Sequence, residues 1–128
     1  MLPLVTVVAA FLFFAPPDSK PLLPPGLVDG ATAQQLHQRG VIVVDVRTAM
    51  EFEGGHVAGA INIPHDQVAA RSAELGPKGK PILLYCRSGR RSGIAAAELA
   101  RQGFTAVYDF KSISDWPGPV EKGPVRAK

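Results

Sequence analysis

A single cysteine stands at position 86 of this 128-residue chain, and Arg87-Ser88-Gly89-Arg90-Arg91-Ser92 follow it directly. An apolar run, Pro81-Ile82-Leu83-Leu84-Tyr85, leads into it. One cysteine cannot close an intramolecular disulfide, and no His/Cys cluster has zinc spacing. The thiol is therefore either a small core hydrophobe or a reactive group. A lone cysteine after an apolar strand is commonly the former. Here three arginines and two small residues crowd the next five positions, and an inert buried thiol has no use for them. A thiolate does: cations and convergent backbone N–H groups lower a thiol's pKa and hold the anion. Cys86 is the candidate nucleophile. Arg87, Ser88, Gly89, Arg90 and Arg91 are the candidate anion-binding loop.

The elements around it must place that loop. Thr32 is positioned to cap a helix over Ala33 to Arg39, with Gly40 at its C-terminal stop. Val41-Ile42-Val43-Val44-Asp45-Val46 is a continuous apolar, β-branched run, the pattern of a strand buried on both faces. Thr48 and Glu51 have capping-box spacing for a short helix. Gly59 to Ile63 reads as a second short strand, stopped by Pro64. Asp66 to Leu75 reads as helix, and Pro81 to Tyr85 as a third strand. Ser92 to Gln102 is helical, with Ser92, Ala95, Ala96 and Leu99 on one stripe and Gly103 as its stop. Phe104 to Tyr108 is a fourth strand. Strands alternating with helices predict an α/β fold: a central parallel sheet of about four to five strands with helices on both faces. Cys86 then lies just past the carboxyl end of a central strand, where open α/β sheets bind ligands. The loop enters a helix there, whose N-terminal dipole adds to the anion site.

Composition agrees with one such domain. Hydrophobic residues make up 46% and charged residues 20% of the chain, ordinary for a globular protein. The net charge of +3 forms no long basic stripe and aromatics are few, which argues against a nucleic-acid partner. Residues 1–15 stand apart. Leu2 to Ala15 is almost wholly apolar; as a helix it reaches about 21 Å, short of a hydrocarbon core of roughly 30 Å. This segment is expected to be a signal peptide or an N-terminal anchor. Residues 16–26 carry five of the prolines from Pro16 to Pro25 and read as an extended linker. The domain is expected over 27–128, outside the cytoplasmic membrane, with any membrane contact through residues 1–15.

Two stretches together resemble the rhodanese family. Asp45-Val46-Arg47-Thr48 with Glu51-Phe52, then Gly55-His56-Val57-Ala58-Gly59-Ala60-Ile61-Asn62-Ile63-Pro64, is similar to its first signature. Tyr85-Cys86-Arg87-Ser88-Gly89-Arg90-Arg91-Ser92 is similar to its active-site loop. With the apparent signal, the chain looks most like the small exported, phage-shock-type rhodaneses. The resemblance implies a rhodanese-like fold and sulfur transfer through a Cys86 persulfide. It implies a small anionic sulfur donor such as thiosulfate, a thiol or cyanide acceptor, and no metal or organic cofactor; the chain is expected to be a monomer. The resemblance assigns the loop amides from Arg87 to Arg91 to the persulfide's terminal sulfur and Arg87 and Arg91 to the donor's sulfonate, leaves Arg90 at the mouth, and gives Asp45 and Arg47 a structural role as a hydrogen-bonded pair behind the strand. His56 is expected to bond backbone, Trp116 to pack, and His37 and His65 to lie at the surface.

Two departures shape the alternatives. The phosphatases that share this fold have a loop one residue longer than the four residues between Cys86 and Arg91, so phosphatase or arsenate reductase chemistry is the lesser reading. After Val107-Tyr108-Asp109-Phe110 the family's pattern is a glutamate-glycine-glycine turn, whereas this chain has Lys111-Ser112 and is about one residue shorter. That change, at one wall of the mouth, keeps open a persulfide carrier or sulfur-binding module with little turnover of thiosulfate.

Overall fold

The computed structural model describes residues 23–124. The expected signal or anchor, residues 1–15, and most of the proline-rich linker lie outside the described residues. The chain runs β1 (Gly26–Leu27), α1 (Gly30–Gln38), β2 (Ile42–Asp45), α2 (Ala49–Gly54), β3 (His56–Val57), β4 (Ile61–Asn62), α3 (Val68–Arg71), β5 (Ile82–Cys86), α4 (Arg90–Arg101), β6 (Val107–Ser112) and β7 (Val120–Glu121). Five strands form one parallel sheet in the order β1-β6-β5-β2-β4. The expected α/β class and parallel sheet are what the chain builds.

β5 is central, and all five of its residues are buried. Alternation along it feeds two cores. Ile82, Leu84 and Cys86 join Val44, Val46, Val68, Leu75, Ala95 and Leu99 on the face covered by α3 and α4. Leu83 and Tyr85 join Ala33, Leu36, Phe52, Tyr108, Phe110 and Trp116 on the other face, under α1 and α2. Burying each large apolar side chain contributes about 1.5–3 kcal/mol, so two filled faces hold β5 and the residue at its end rigidly.

Several boundaries differ from the sequence reading. The N-cap of α1 is Asp29, whose Oδ1 accepts the Thr32 N–H at 2.8 Å; Thr32 lies inside the helix. The helix begins on Gly30 because that residue packs against the Asp115 carbonyl, and a Cβ there would sit 1.9 Å from the oxygen. Gly26 pairs with Tyr108 as the first residue of β1, so the fold starts inside the segment read as linker. The expected helix over Asp66 to Leu75 is three short pieces: a 3-10 turn at His65–Gln67, then α3, then a 3-10 turn at Ser72–Leu75. Bonds to α4 compete with its internal ones: Gln102 Nε2 donates to Ala69 O at 3.2 Å, and Ser72 Oγ to Gln102 Oε1 at 2.6 Å. β6 begins three residues later than expected and runs on through Asp109 and Lys111, past a register shift opposite Leu84 and Cys86. β3 and β7 form a separate antiparallel ribbon, with His56 opposite Glu121, that two-residue strands do not announce in sequence.

Candidate active site

Cys86 is the last residue of β5 and 1% exposed. Arg87, Ser88 and Gly89 turn the chain, and α4 begins at Arg90. The turn depends on Gly89, whose φ of 107° lies in the left-handed region that side chains with a Cβ rarely adopt. It folds the Gly89 N–H back onto Cys86 Sγ at 2.9 Å. Ser92, fully buried in the first turn of α4, places its Oγ 3.6 Å from the same sulfur. Burial alone pushes the thiol's pKa up. Hydrogen bonds from the Ser92 hydroxyl and from the Ser92, Gly89 and Ser88 amides outweigh it, and the net shift is downward from the ordinary value. The expected depressed pKa thus has an identifiable set of donors, with the N-terminus of α4 aimed at the same point.

The loop residues fall into two groups. Arg87, Ser88 and Arg90 are exposed at the rim. Arg91 turns away from the rim to Glu51 of α2. Its Nη1 and Nη2 donate to the two Glu51 oxygens at 2.7 and 3.0 Å. The sequence reading sends Arg91 to the donor; the structure places it in an ion pair. Glu51 simultaneously closes the capping box, accepting the Thr48 N–H at 3.0 Å. The Arg91 guanidinium, opposed by burial and helped by Thr48, holds the Glu51 carboxyl down at about 2.

Asp45 and Arg47 form the buried pair behind the loop. Arg47 Nη2 donates to Asp45 Oδ2 at 2.6 Å, and Arg47 Nε to Oδ1 at 3.0 Å. The Tyr85 hydroxyl donates to the same Asp45 Oδ2 at 2.6 Å and accepts the Val57 N–H at 3.0 Å. Asn62 Nδ2 donates to the carbonyls of Asp45 and Arg47, both at 2.9 Å. Arg47 reaches on to Gly55 O at 2.7 Å. The cluster fixes Tyr85, the residue immediately before the thiol. It belongs to the far face of the sheet, with Tyr85.

Sequence reasoning assigns no site role to Ser92, Glu51, Asp109 or Lys111. Ser92 reads as part of a helix stripe and Glu51 as a capping residue; both signals were present, with another meaning. Asp109 is buried, and burial raises its carboxyl pKa. Its Oδ1 accepts the Lys111 N–H at 2.8 Å. Among the histidines, His56 Nδ1 donates to Phe52 O at 2.7 Å as expected. His37, expected at the surface, is half-buried; its Nε2 lies 2.8 Å from Ala58 O and its ring meets Trp116 edge-on. His65 is also half-buried rather than at the surface. Trp116 packs against Phe110 and donates from Nε1 to Pro119 O at 3.0 Å.

What this arrangement can do is hold a thiolate, and an anionic group bonded to it, within a ring of backbone donors. Proteins similar to this chain carry the same combination of fold and sequence. The putative sulfur carrier protein YrkF of Bacillus subtilis is 38% identical over 80 residues, 62% of this chain and 43% of that protein. The thiosulfate sulfurtransferase PspE of Escherichia coli is 38% identical over 81 residues, 62% of this chain and 78% of that protein. This chain spans less than two thirds of the length of the Bacillus subtilis relatives it matches. A solved structure described as rhodanese with anions from E. coli superposes with a TM-score of 0.63 at 35% identity, over 66% of this chain and all of that one. Residues 30–116, from the start of α1 to Trp116, match the model of the rhodanese-like domain. That span takes in both signatures and every element that positions Cys86, and the chain belongs to the rhodanese family.

Proposed function

We propose that this protein is a sulfurtransferase that moves sulfane sulfur from thiosulfate, or a donor like it, to a thiophilic acceptor through a Cys86 persulfide. The Cys86 thiolate attacks the outer sulfur of thiosulfate. A new S–S bond forms at Sγ, the S–S bond of thiosulfate breaks, and sulfite leaves with that electron pair. Cyanide or a thiolate then attacks the terminal sulfur of the persulfide. Thiocyanate or a new persulfide departs and the Cys86 thiolate returns. Covalent catalysis of this kind divides one transfer into two easier steps. The observation that carries the reading is the convergence of the Gly89 amide and Ser92 hydroxyl on Cys86 Sγ at the start of α4. The thiosulfate sulfurtransferase activity in the name of the Escherichia coli relative supports it.

The test is intact-mass measurement after incubation with thiosulfate. A gain of one sulfur atom, reversed by cyanide and absent in Cys86→Ser, is expected; an unchanged mass overturns the reading. A second reading, a persulfide carrier with little steady-state turnover, draws on the sulfur-carrier name of the Bacillus subtilis relative and on the engagement of Arg91 by Glu51. Slow thiosulfate:cyanide turnover by a protein that still acquires the persulfide would favour it.

The domain is proposed to act as a monomer outside the cytoplasmic membrane, exported or anchored by residues 1–15. Cell fractionation of the full chain tests this: recovery in the periplasm or on the inner membrane is expected, and soluble full-length protein confined to the cytosol overturns it.

A further inference from the structure

Thiolate attack on thiosulfate brings three negative charges together at the end of β5, and the protein must meet them. Arg91, in the first turn of α4, is already paired with Glu51 at 2.7 Å. Arg87 and Arg90 stand exposed on the loop. A further cation arrives from a different element, Lys111 of β6.

The backbone of Lys111 is the feature that sets it apart. Its φ is 70°, and among the described residues it alone combines a side chain with a positive φ. Lysine gains nothing there for its own sake, since a Cβ makes the left-handed region costly. The conformation is held by Asp109, whose buried Oδ1 accepts the Lys111 N–H at 2.8 Å. Its consequence is directional. The Lys111 stem is laid over Gly89: Cβ, Cγ and Cδ lie 3.2, 3.3 and 3.5 Å from where a Cβ at residue 89 would be. One residue on, the Ser112 hydroxyl donates to Arg87 O at 2.6 Å. The end of β6 is thus fastened across the turn that cradles the sulfur. Lys111 is exposed and also borders an open groove of about 570 Å³ with Phe110, Asp115 and Pro117.

We infer that Lys111 is a specificity-determining residue of the Cys86 site, carried over Gly89 by the Asp109-held turn so that its ammonium group favours doubly charged sulfur donors over singly charged ones. The inference rests on the sulfur-transfer reading above and names the charge class of its donor. Arg87 and Arg90 extend from the loop itself, whereas Lys111 adds a cation from outside it, at the wall where the chain departs from the family's glutamate-glycine-glycine pattern.

The experiment uses the full chain and three variants: Lys111→Gln, Lys111→Gly and Lys111→Arg. Glycine accepts a φ of 70° without strain, so Lys111→Gly removes the charge while easing the turn. Initial rates are measured with thiosulfate, a dianion, and methanethiosulfonate, a monoanion. In Lys111→Gln and Lys111→Gly, kcat/KM should fall about three- to tenfold more for thiosulfate than for methanethiosulfonate, the size of one screened charge contact. Lys111→Arg should retain the wild-type ratio, and the difference should shrink as salt rises. An equal effect on both donors, or no effect, overturns the inference. A second readout does not depend on sulfur transfer: the ratio of Cys86 alkylation rates with iodoacetate and iodoacetamide. Removing the Lys111 charge should lower that ratio about threefold or more; an unchanged ratio overturns the inference. If the wild-type protein takes no sulfur from thiosulfate, the sulfur-transfer reading falls while the alkylation ratio still decides the role of Lys111.

Discussion

Arg91 of the active-site loop and Glu51 of α2 meet across 40 positions of sequence in a two-pronged ion pair, 2.7 Å from Nη1 to Oε1 and 3.0 Å from Nη2 to Oε2. Glu51 also caps its own helix through Thr48. The ion pair thus joins the family's first signature to the loop that follows Cys86.

That pair sets a pH dependence. In the folded protein the Glu51 carboxyl is held at about 2, against an ordinary 4.5. On acidification the unfolded chain takes up the proton first. The pair's stabilisation is thus complete above about pH 5 and lost as pH falls toward about pH 2. With partial exposure discounted it is roughly 1–2 kcal/mol. Urea unfolding of wild type and Glu51→Gln at pH 7 and pH 3 should show a stability gap at pH 7 that narrows at pH 3. A constant gap would mean that Glu51 acts by packing alone.

Cys86→Ser should retain the fold, since the Gly89 amide and the Ser92 hydroxyl can bond a hydroxyl as they bond a thiol. Sulfur transfer should fall by about three orders of magnitude or more, as for loss of any nucleophile that forms the covalent intermediate. Thermal melting and thiosulfate:cyanide assays on the same preparation check both halves. Substantial residual transfer by the folded variant would remove Cys86 from the mechanism.

Ser92→Ala deletes a hydroxyl that bonds the Cys86 sulfur while leaving the loop amides. The thiol should titrate higher than in wild type, by roughly half a pH unit to one pH unit, the size of one modest hydrogen bond. The pH profile of iodoacetamide alkylation reads it. Wild type should show a midpoint below the ordinary thiol value; a midpoint above it would mark Cys86 as an inert core residue.

Tyr85→Phe should destabilise the domain by about 1–3 kcal/mol, because the buried Val57 N–H loses its acceptor and Asp45 Oδ2 loses a donor. The lesion sits one residue from the nucleophile but on the opposite face, so kcat should suffer less than stability. Parallel urea unfolding and rate measurements separate the two; a large kcat loss without destabilisation would contradict the structural role of the Asp45 cluster.

Arg87→Ala should weaken thiosulfate use by about three- to tenfold, as expected for an exposed cation facing a dianion. Arg91→Ala should lower stability as well as activity, because its partner Glu51 is left unpaired. Unfolding curves distinguish the two arginines. Equal melting points for both variants would mean that the Glu51 pair contributes nothing to the fold.

Much of the architecture follows from local pattern. The β-branched run over Val41 to Val46 and the apolar run into Cys86 can only be buried strands, and Thr48 with Glu51 announces its capping box directly. The segments that misled did so because a tertiary partner outweighed the local signal. Asp29 caps α1 ahead of Thr32 because the chain must bring Gly30 against the Asp115 carbonyl. The fourth strand reads as ending at Tyr108, yet β6 runs on through Asp109 and Lys111. There β5 supplies ladder partners, and the Asp109 side chain satisfies the Lys111 N–H where the register shifts.

The sequence by itself determined the candidate nucleophile, its place at the end of a buried strand and the tight turn that follows, because strand burial, glycine geometry and helix capping act over a few residues. Which partners the basic side chains take was decided only by the tertiary structure. Charges of one sign on adjacent residues are indistinguishable in a sequence, and their roles depend on partners dozens of positions away. Glu51 pairs with Arg91, and Asp109 holds the turn that lays the Lys111 stem over Gly89. Electrostatic matching is a property of distances in space, and those distances exist only once β5, β6, α2 and α4 have packed.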